Sequence, residues 1–144
     1  MLKLMQGVPI AGRRTLDVGC GSGVLALAAE RLGAGDTLGI DLDYDAVSNA
    51  RENLGLNEVQ RPLRFEERDL NTVRGMWDVV LANLTGALLE RSVPRFRELV
   101  APEGHLIISG LTTSERGVIA AFESRFRLQT VDQEGEWLAA AFRP

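Results

Sequence analysis

The chain reads as an α/β domain, a doubly wound and mostly parallel sheet with helices on both faces. Three observations predict it. Short apolar runs alternate with segments of helical periodicity. One run, Leu106-Ile107-Ile108, is continuously apolar, as in a parallel strand covered on both faces. The residues with chemical potential, Asp17 to Gly23, Asp41, Asp69 and Asn83, all fall at the ends of strands, where ligands of such sheets bind.

The first strand is Thr15 to Val18, stopped by Gly19-Cys20-Gly21-Ser22-Gly23. Ser22 has the side chain of a helix N-cap. Val24, Leu25, Leu27, Ala28 and Leu32 then recur at helical spacing until Gly33 and Gly35 end the helix. Leu38 to Asp41 is the second strand, and a helix follows from about Asp43 to Leu54. Leu63 to Glu67, after Pro62, is the third strand, and Trp77 to Ala82, ending at Asn83, is the fourth. The next helix carries Leu88, Leu89, Val93, Phe96 and Leu99. Pro102-Glu103-Gly104 turns the chain into the fifth strand, which Gly110 ends. Ser114 to Phe122 is helical. Phe126 to Val131 and Trp137 to Phe142 are two strands joined through Asp132-Gln133-Glu134-Gly135. Five alternations and a terminal antiparallel pair make a seven-stranded, Rossmann-like order.

A length of 144 residues with 45% hydrophobic content fits one domain spanning 1–144. The net charge of -4 gives no basis for tight phosphate-backbone binding, so no direct nucleic-acid partner is expected. Arg91, Arg95 and Arg97, at helical spacing, read as a solvated face. One cysteine, Cys20, excludes an intramolecular disulfide and fits a reducing compartment, so the expected location is cytoplasmic. No run approaches the roughly 18 apolar residues of a membrane helix, and the N-terminus lacks a signal-peptide pattern.

Gly19, Gly21 and Gly23 let backbone approach a ligand without side chains in the way. A dinucleotide fingerprint would need its third glycine one position later, where Val24 stands, and no phosphate-gripping G-x-x-x-x-G-K-[ST] occurs. A nicotinamide-dependent oxidoreductase is therefore disfavoured. Asp17 is placed either to hold the loop amides or, through water, a ligand ammonium; its bland alternative is a loop cap. Asp41, about 20 residues past the loop, is placed to accept two hydrogen bonds from ribose hydroxyls. Leu42 offers an apolar surface for adenine. Asp69 offers an acceptor for adenine's exocyclic amine, with a solvent-exposed turn as the alternative. Loop and acid together indicate a nucleoside-containing ligand.

Leu16-Asp17-Val18-Gly19-Cys20-Gly21-Ser22-Gly23 and Gly39-Ile40-Asp41-Leu42-Asp43 resemble the first two motifs of class I S-adenosylmethionine-dependent methyltransferases. Asp78 to Leu84, Ser109-Gly110-Leu111 and Glu134-Gly135-Glu136-Trp137 resemble, in order, the catalytic domain of PrmA-type enzymes, which methylate a ribosomal large-subunit protein (number eleven). The resemblance implies S-adenosylmethionine as cofactor, held by Asp17, Gly19, Gly21, Gly23, Asp41, Leu42 and Asp69. It also implies a lysine or α-amino acceptor on a ribosomal protein and a catalytic, amine-positioning role for Asn83. No metal is implied. His105 and Cys20 read as surface and loop residues.

Two features depart from that family. Its members resemble two-domain proteins with an N-terminal recognition domain and a Gly/Thr-rich linker, and neither is in this chain, which starts in what would be the end of the helix before the first strand. The motif at Asn83 reads Asn-Leu-Thr where the family has Asn-Ile-Leu. A sheet flank left uncovered there is expected to support a homodimer. The competing readings are a methyltransferase of another small or protein substrate and a non-catalytic cofactor-binding module.

Overall fold

The computed structural model describes all 144 residues. A short helix α1 (Leu2–Gln6) precedes strand β1 (Arg14–Val18), helix α2 (Val24–Arg31), strand β2 (Asp36–Asp41), helix α3 (Tyr44–Gly55) and strand β3 (Leu63–Glu67). A 3₁₀ turn, Leu70–Thr72, leads to strand β4 (Trp77–Asn83), helix α4 (Gly86–Leu99) and strand β5 (Val100–Thr112). A second 3₁₀ turn, helix α5 (Gly117–Glu123) and strands β6 (Arg127–Glu134) and β7 (Trp137–Arg143) complete the chain. The sheet order is β3-β2-β1-β4-β5-β7-β6, parallel from β3 to β5 and antiparallel across the β5, β7 and β6 pairings. This is the expected Rossmann-like sheet with its terminal antiparallel pair.

Alternating side chains of each strand feed different layers. Leu16, Val18, Val80 and Ala82 face a core filled by Leu89, Val93 and Phe96 of α4 and Val118, Ile119 and Phe122 of α5. Phe122 is its hub, with ring centroids 6.1, 6.2 and 5.4 Å from Phe96, Phe126 and Phe142. Val79, Leu81 and Ile107 point the other way, against Met5 of α1 and Ala29 of α2. Phe65 packs separately with Ala26 of α2 and Val47 and Ala50 of α3. Chain reversal falls between β1 and β4, and the carboxyl ends of both meet there.

Four expectations need correction. Ser22 does not cap α2: the N-cap is Gly23 in the left-handed region at φ +84, without a side-chain cap. β5 neither starts after Gly104 nor ends at Gly110. It begins at Val100, loops out between the Trp77–Val100 and Val79–His105 pairs, and runs on to Thr112 through a bulge between Ser109 and Leu111. β6 extends to Glu134, so Asp132, Gln133 and Glu134 are paired strand residues and only Gly135-Glu136 turn. Arg95 is not solvated, as described below.

Gly23 has a second constraint, since a Cβ there would lie 2.6 Å from Phe65 Cζ. The ring of Phe65, 3% exposed, fills the space that two glycines, Gly23 and Gly39, leave open. Phe65→Ala should therefore cost about 3 to 5 kcal/mol, read as a lower denaturation midpoint with unchanged cooperativity.

Candidate functional site

The tips of β1 and β2 are tied together by backbone donors of the glycine loop. The Ile40 carbonyl accepts from Gly19 N and from Cys20 N, both at 2.9 Å. Asp41 Oδ2 accepts from Gly21 N at 3.0 Å, and Asp41 Oδ1 accepts from Asp43 N at 3.1 Å. A carboxylate oxygen has two lone-pair sites, so each oxygen of Asp41 keeps one for a further donor.

Asp17 lies beneath this loop and is fully buried. Its Oδ2 accepts from Ala26 N, in the first turn of α2, at 3.1 Å, and its Oδ1 has no partner. The carboxylate thus does the capping that the sequence suggests for Ser22, from a strand and not from the loop. Burial pushes its pKa up to about 7, opposed by the Ala26 hydrogen bond and reinforced by the charge of Asp41.

A cleft of about 390 Å³ opens above the loop, within the ordinary size of small-molecule sites. Gly19, Asp41, Leu42 and Asp69 line it, so the structure gathers four of the sequence-derived residues. Leu42 is 71% exposed, an apolar surface with nothing from this chain covering it. Asp69 caps the turn Leu70–Thr72: its Oδ1 accepts from Asn71 N at 2.8 Å and Asn71 Nδ2 at 3.0 Å. Gly21 is held by Asp41, and Gly23 turns away to pack on Phe65. Leu84, Leu88, Arg91 and Arg95 also line the cleft. Helical spacing alone could not single them out, because it does not say which side of α4 meets the turn after β3.

Asn83 opens onto a second cleft of about 320 Å³, with Ser109, Asp132, Glu134 and Trp137. Ser109 Oγ donates to Asn83 Oδ1 at 3.1 Å, fixing the side chain at the strand tip. Gly110 stands against the same tip at φ +87, and a Cβ there would fall 2.5 Å from the Leu84 carbonyl oxygen. The adjacent residues Asn83 and Leu84 therefore separate two clefts, one edged by each.

Burial, then the nearby Asp17 and Asp41 charges, push the Cys20 thiol up to about 12, which removes it as a nucleophile. His105 starts the β5 stretch paired with β4, four residues before Ser109 and about 13 Å along the strand. Burial lowers its pKa, with Arg143 and Arg13 acting in the same direction. It is remote from both clefts.

The family model that matches residues 1–144 describes the ribosomal protein L11 methyltransferase, PrmA. A ribosomal protein L11 methyltransferase of Pelobacter propionicus is 38% identical over 144 residues, covering 98% of this chain and 47% of its own. The chain thus spans about half the length of such relatives. The crystal structure of the ribosomal protein L11 methylase from Lactobacillus delbrueckii subsp. bulgaricus superposes with a TM-score of 0.91 at 26% identity, over 98% of this chain and 75% of that one. N-methyltransferase NodS from Bradyrhizobium japonicum, in complex with S-adenosyl-L-homocysteine, shares the fold at a TM-score of 0.74 and 15% identity, over 99% and 84% of the two chains.

Asp17 makes a pH prediction. Its folded pKa of about 7 stands above the ordinary value of 3.8, so the folded state holds a proton that the unfolded state has released between those two values. Stability from this group falls as pH rises from about 4 to about 7 and is level above. Asp17→Asn should remove that fall, a relative change on the order of a few kcal/mol, in urea melts across the range. Parallel wild-type and variant profiles would show that the carboxyl is not displaced.

Proposed function

The chain belongs to the ribosomal protein L11 methyltransferase (PrmA) family, and from that premise we propose that its domain binds S-adenosylmethionine in the first cleft and directs methyl transfer to an amine held at Asn83. The observation that carries the reading is the strand tip of β4, where adjacent residues Asn83 and Leu84 edge two clefts.

The residues fit the cofactor. Gly19 lines the cleft with bare backbone, and Asp41 keeps one acceptor position on each oxygen for the ribose hydroxyls. Leu42 offers its exposed face to adenine, and Asp69 an oxygen to the exocyclic amine. Gly21 and Gly23 act through the loop conformation, and Asp17 through the anchoring of α2. NodS, which shares the fold, was crystallised with S-adenosyl-L-homocysteine, the demethylated form of this cofactor. Bound there, S-adenosylmethionine would supply an electrophilic methyl group on a positively charged sulfur.

The acceptor side takes its chemistry from the second cleft. Glu134 supplies negative charge beside an Asp132 already paired with Lys3, and Trp137, 56% exposed, supplies an aromatic face, a combination that attracts an ammonium group. The proposed acceptor is a lysine or α-amino group of ribosomal protein L11. Asn83, steadied by Ser109, would accept from the deprotonated amine and point its lone pair at the methyl group. Alignment is the main catalytic contribution of this chain's residues.

Titration with S-adenosylmethionine and transfer of its labelled methyl group to L11 test the two halves separately. Asp41→Ala should weaken cofactor binding about 10- to 150-fold, the loss of a charge-assisted hydrogen bond. Asn83→Ala should leave cofactor affinity intact and lower turnover on the order of 100-fold. Cofactor binding without transfer to L11 would leave a binding module or a different acceptor; equal losses of binding and turnover in Asn83→Ala would make Asn83 structural.

A further inference from the structure

Residues 68–76, between β3 and β4, lie outside the sheet and carry one wall of the first cleft. Most of their polar groups are satisfied locally. The Asp69 carbonyl accepts from Thr72 N at 2.9 Å and Thr72 Oγ1 at 2.8 Å, and Asp69 Oδ1 accepts from Asn71 N and Nδ2. Arg74 Nη1 donates to the Asn71 and Val73 carbonyls at 3.1 and 3.3 Å. These bonds shape the turn; outside it, Arg68 N donates to the Asp41 carbonyl at 2.9 Å, Arg14 Nη1 donates to the Met76 carbonyl at 3.0 Å, and the Val73 side chain is buried in the core.

From α4, across the cleft, Arg95 Nε donates to the Leu70 carbonyl at 3.2 Å and Arg95 Nη2 to the Val73 carbonyl, while Nη1 pairs with Glu98. The side chain is only 18% exposed. These are the hydrogen bonds that reach residues 70–73 from another secondary-structure element, and their two acceptors bracket the turn. A planar guanidinium can hold both carbonyls at once; a lysine ammonium is a point donor without that fork geometry.

We infer that Arg95 is a specificity-determining positioning residue. By bracketing the turn it holds Asp69, whose Oδ2 has no protein donor, so that the cleft prefers a purine carrying an exocyclic amino group to one carrying a carbonyl at that position. The amine donates to the carboxylate; a carbonyl oxygen there faces it with like partial charge and no hydrogen bond. The inference rests on the adenosyl reading of the first cleft and adds to it the residue that sets base selectivity.

The test compares binding of S-adenosylhomocysteine with that of S-inosylhomocysteine, which has a carbonyl in place of the amine and a hydrogen on the adjacent ring nitrogen, to the full chain by titration calorimetry. The wild-type protein should favour the adenosyl compound about tenfold or more. Arg95→Met should reduce that ratio severalfold, with the adenosyl compound losing most of the affinity, and Arg95→Lys should fall between. A role in fold stability alone would weaken both compounds alike, so an unchanged ratio in a folded Arg95→Met or Arg95→Lys protein overturns the inference. So does a wild-type ratio that Asp69→Ala leaves intact. Failure of the wild-type chain to bind either compound would instead remove the adenosyl reading itself.

Discussion

Everything at the ligand edge depends on the glycine loop lying flat against the tip of β2. Ile40 and Asp41 hold it there by accepting from three loop amides, those of Gly19, Cys20 and Gly21. The path requires positive φ at Gly19, Gly21 and Gly23, a conformation that a side chain would strain. Asp41 therefore has a dual position. The carboxylate proposed to receive a ribose is also the one that shapes the loop, so ligand contact and loop geometry share an atom pair and cannot be tuned independently.

The same economy recurs below the loop. Asp17 anchors α2 through Ala26, but a fully buried carboxylate with an unpartnered Oδ1 is held at a cost in desolvation. That cost is reduced by keeping the proton, which the rise of its pKa to about 7 reflects. A cation brought to the cleft would favour the charged form of Asp17. In the proposed reading, cofactor binding and proton release from Asp17 are thus linked.

The local signals in the sequence were reliable where punctuation and element boundaries coincide. Pro62 precedes β3, Asp43 caps α3 through Asp45 N, and both elements appear where spacing predicts them. They misled where glycine and proline sit inside an element. Pro102, Glu103 and Gly104 bulge out opposite Asp78 within β5, and Gly110 is a bulge residue at the site, not a strand end. Ser22 has a capping side chain, but the cap acceptor comes from Asp17, nine positions before Ala26. The candidate cleft was legible because its acids follow strand ends, a rule of the fold. Arg95 was not, because its partners at the turn are backbone carbonyls, which carry no side-chain signature, brought to it by tertiary packing.

In the proposed reading, the acceptor cleft poses a conflict that its layout resolves. Methyl transfer needs a free amine lone pair, yet acids beside an ammonium stabilise the protonated form and raise its pKa above the ordinary 10.4 of lysine. Acids directly around the reacting nitrogen would hold substrate and suppress reaction together. Here Asp132 and Glu134 belong to β6, and Asn83 to β4, three positions away in the sheet order. Lys3 already pairs with Asp132 at 3.0 Å, so an ammonium can be satisfied at that rim without approaching Asn83. At the β4 tip the polar groups are neutral, Asn83 and Ser109, with Leu84 beside them. A cation is attracted at the β6 end of such a cleft, while the β4 end presents it with no carboxylate. Under that reading, the separation between β6 and β4 lets charge serve capture while the neutral amide serves the nucleophile.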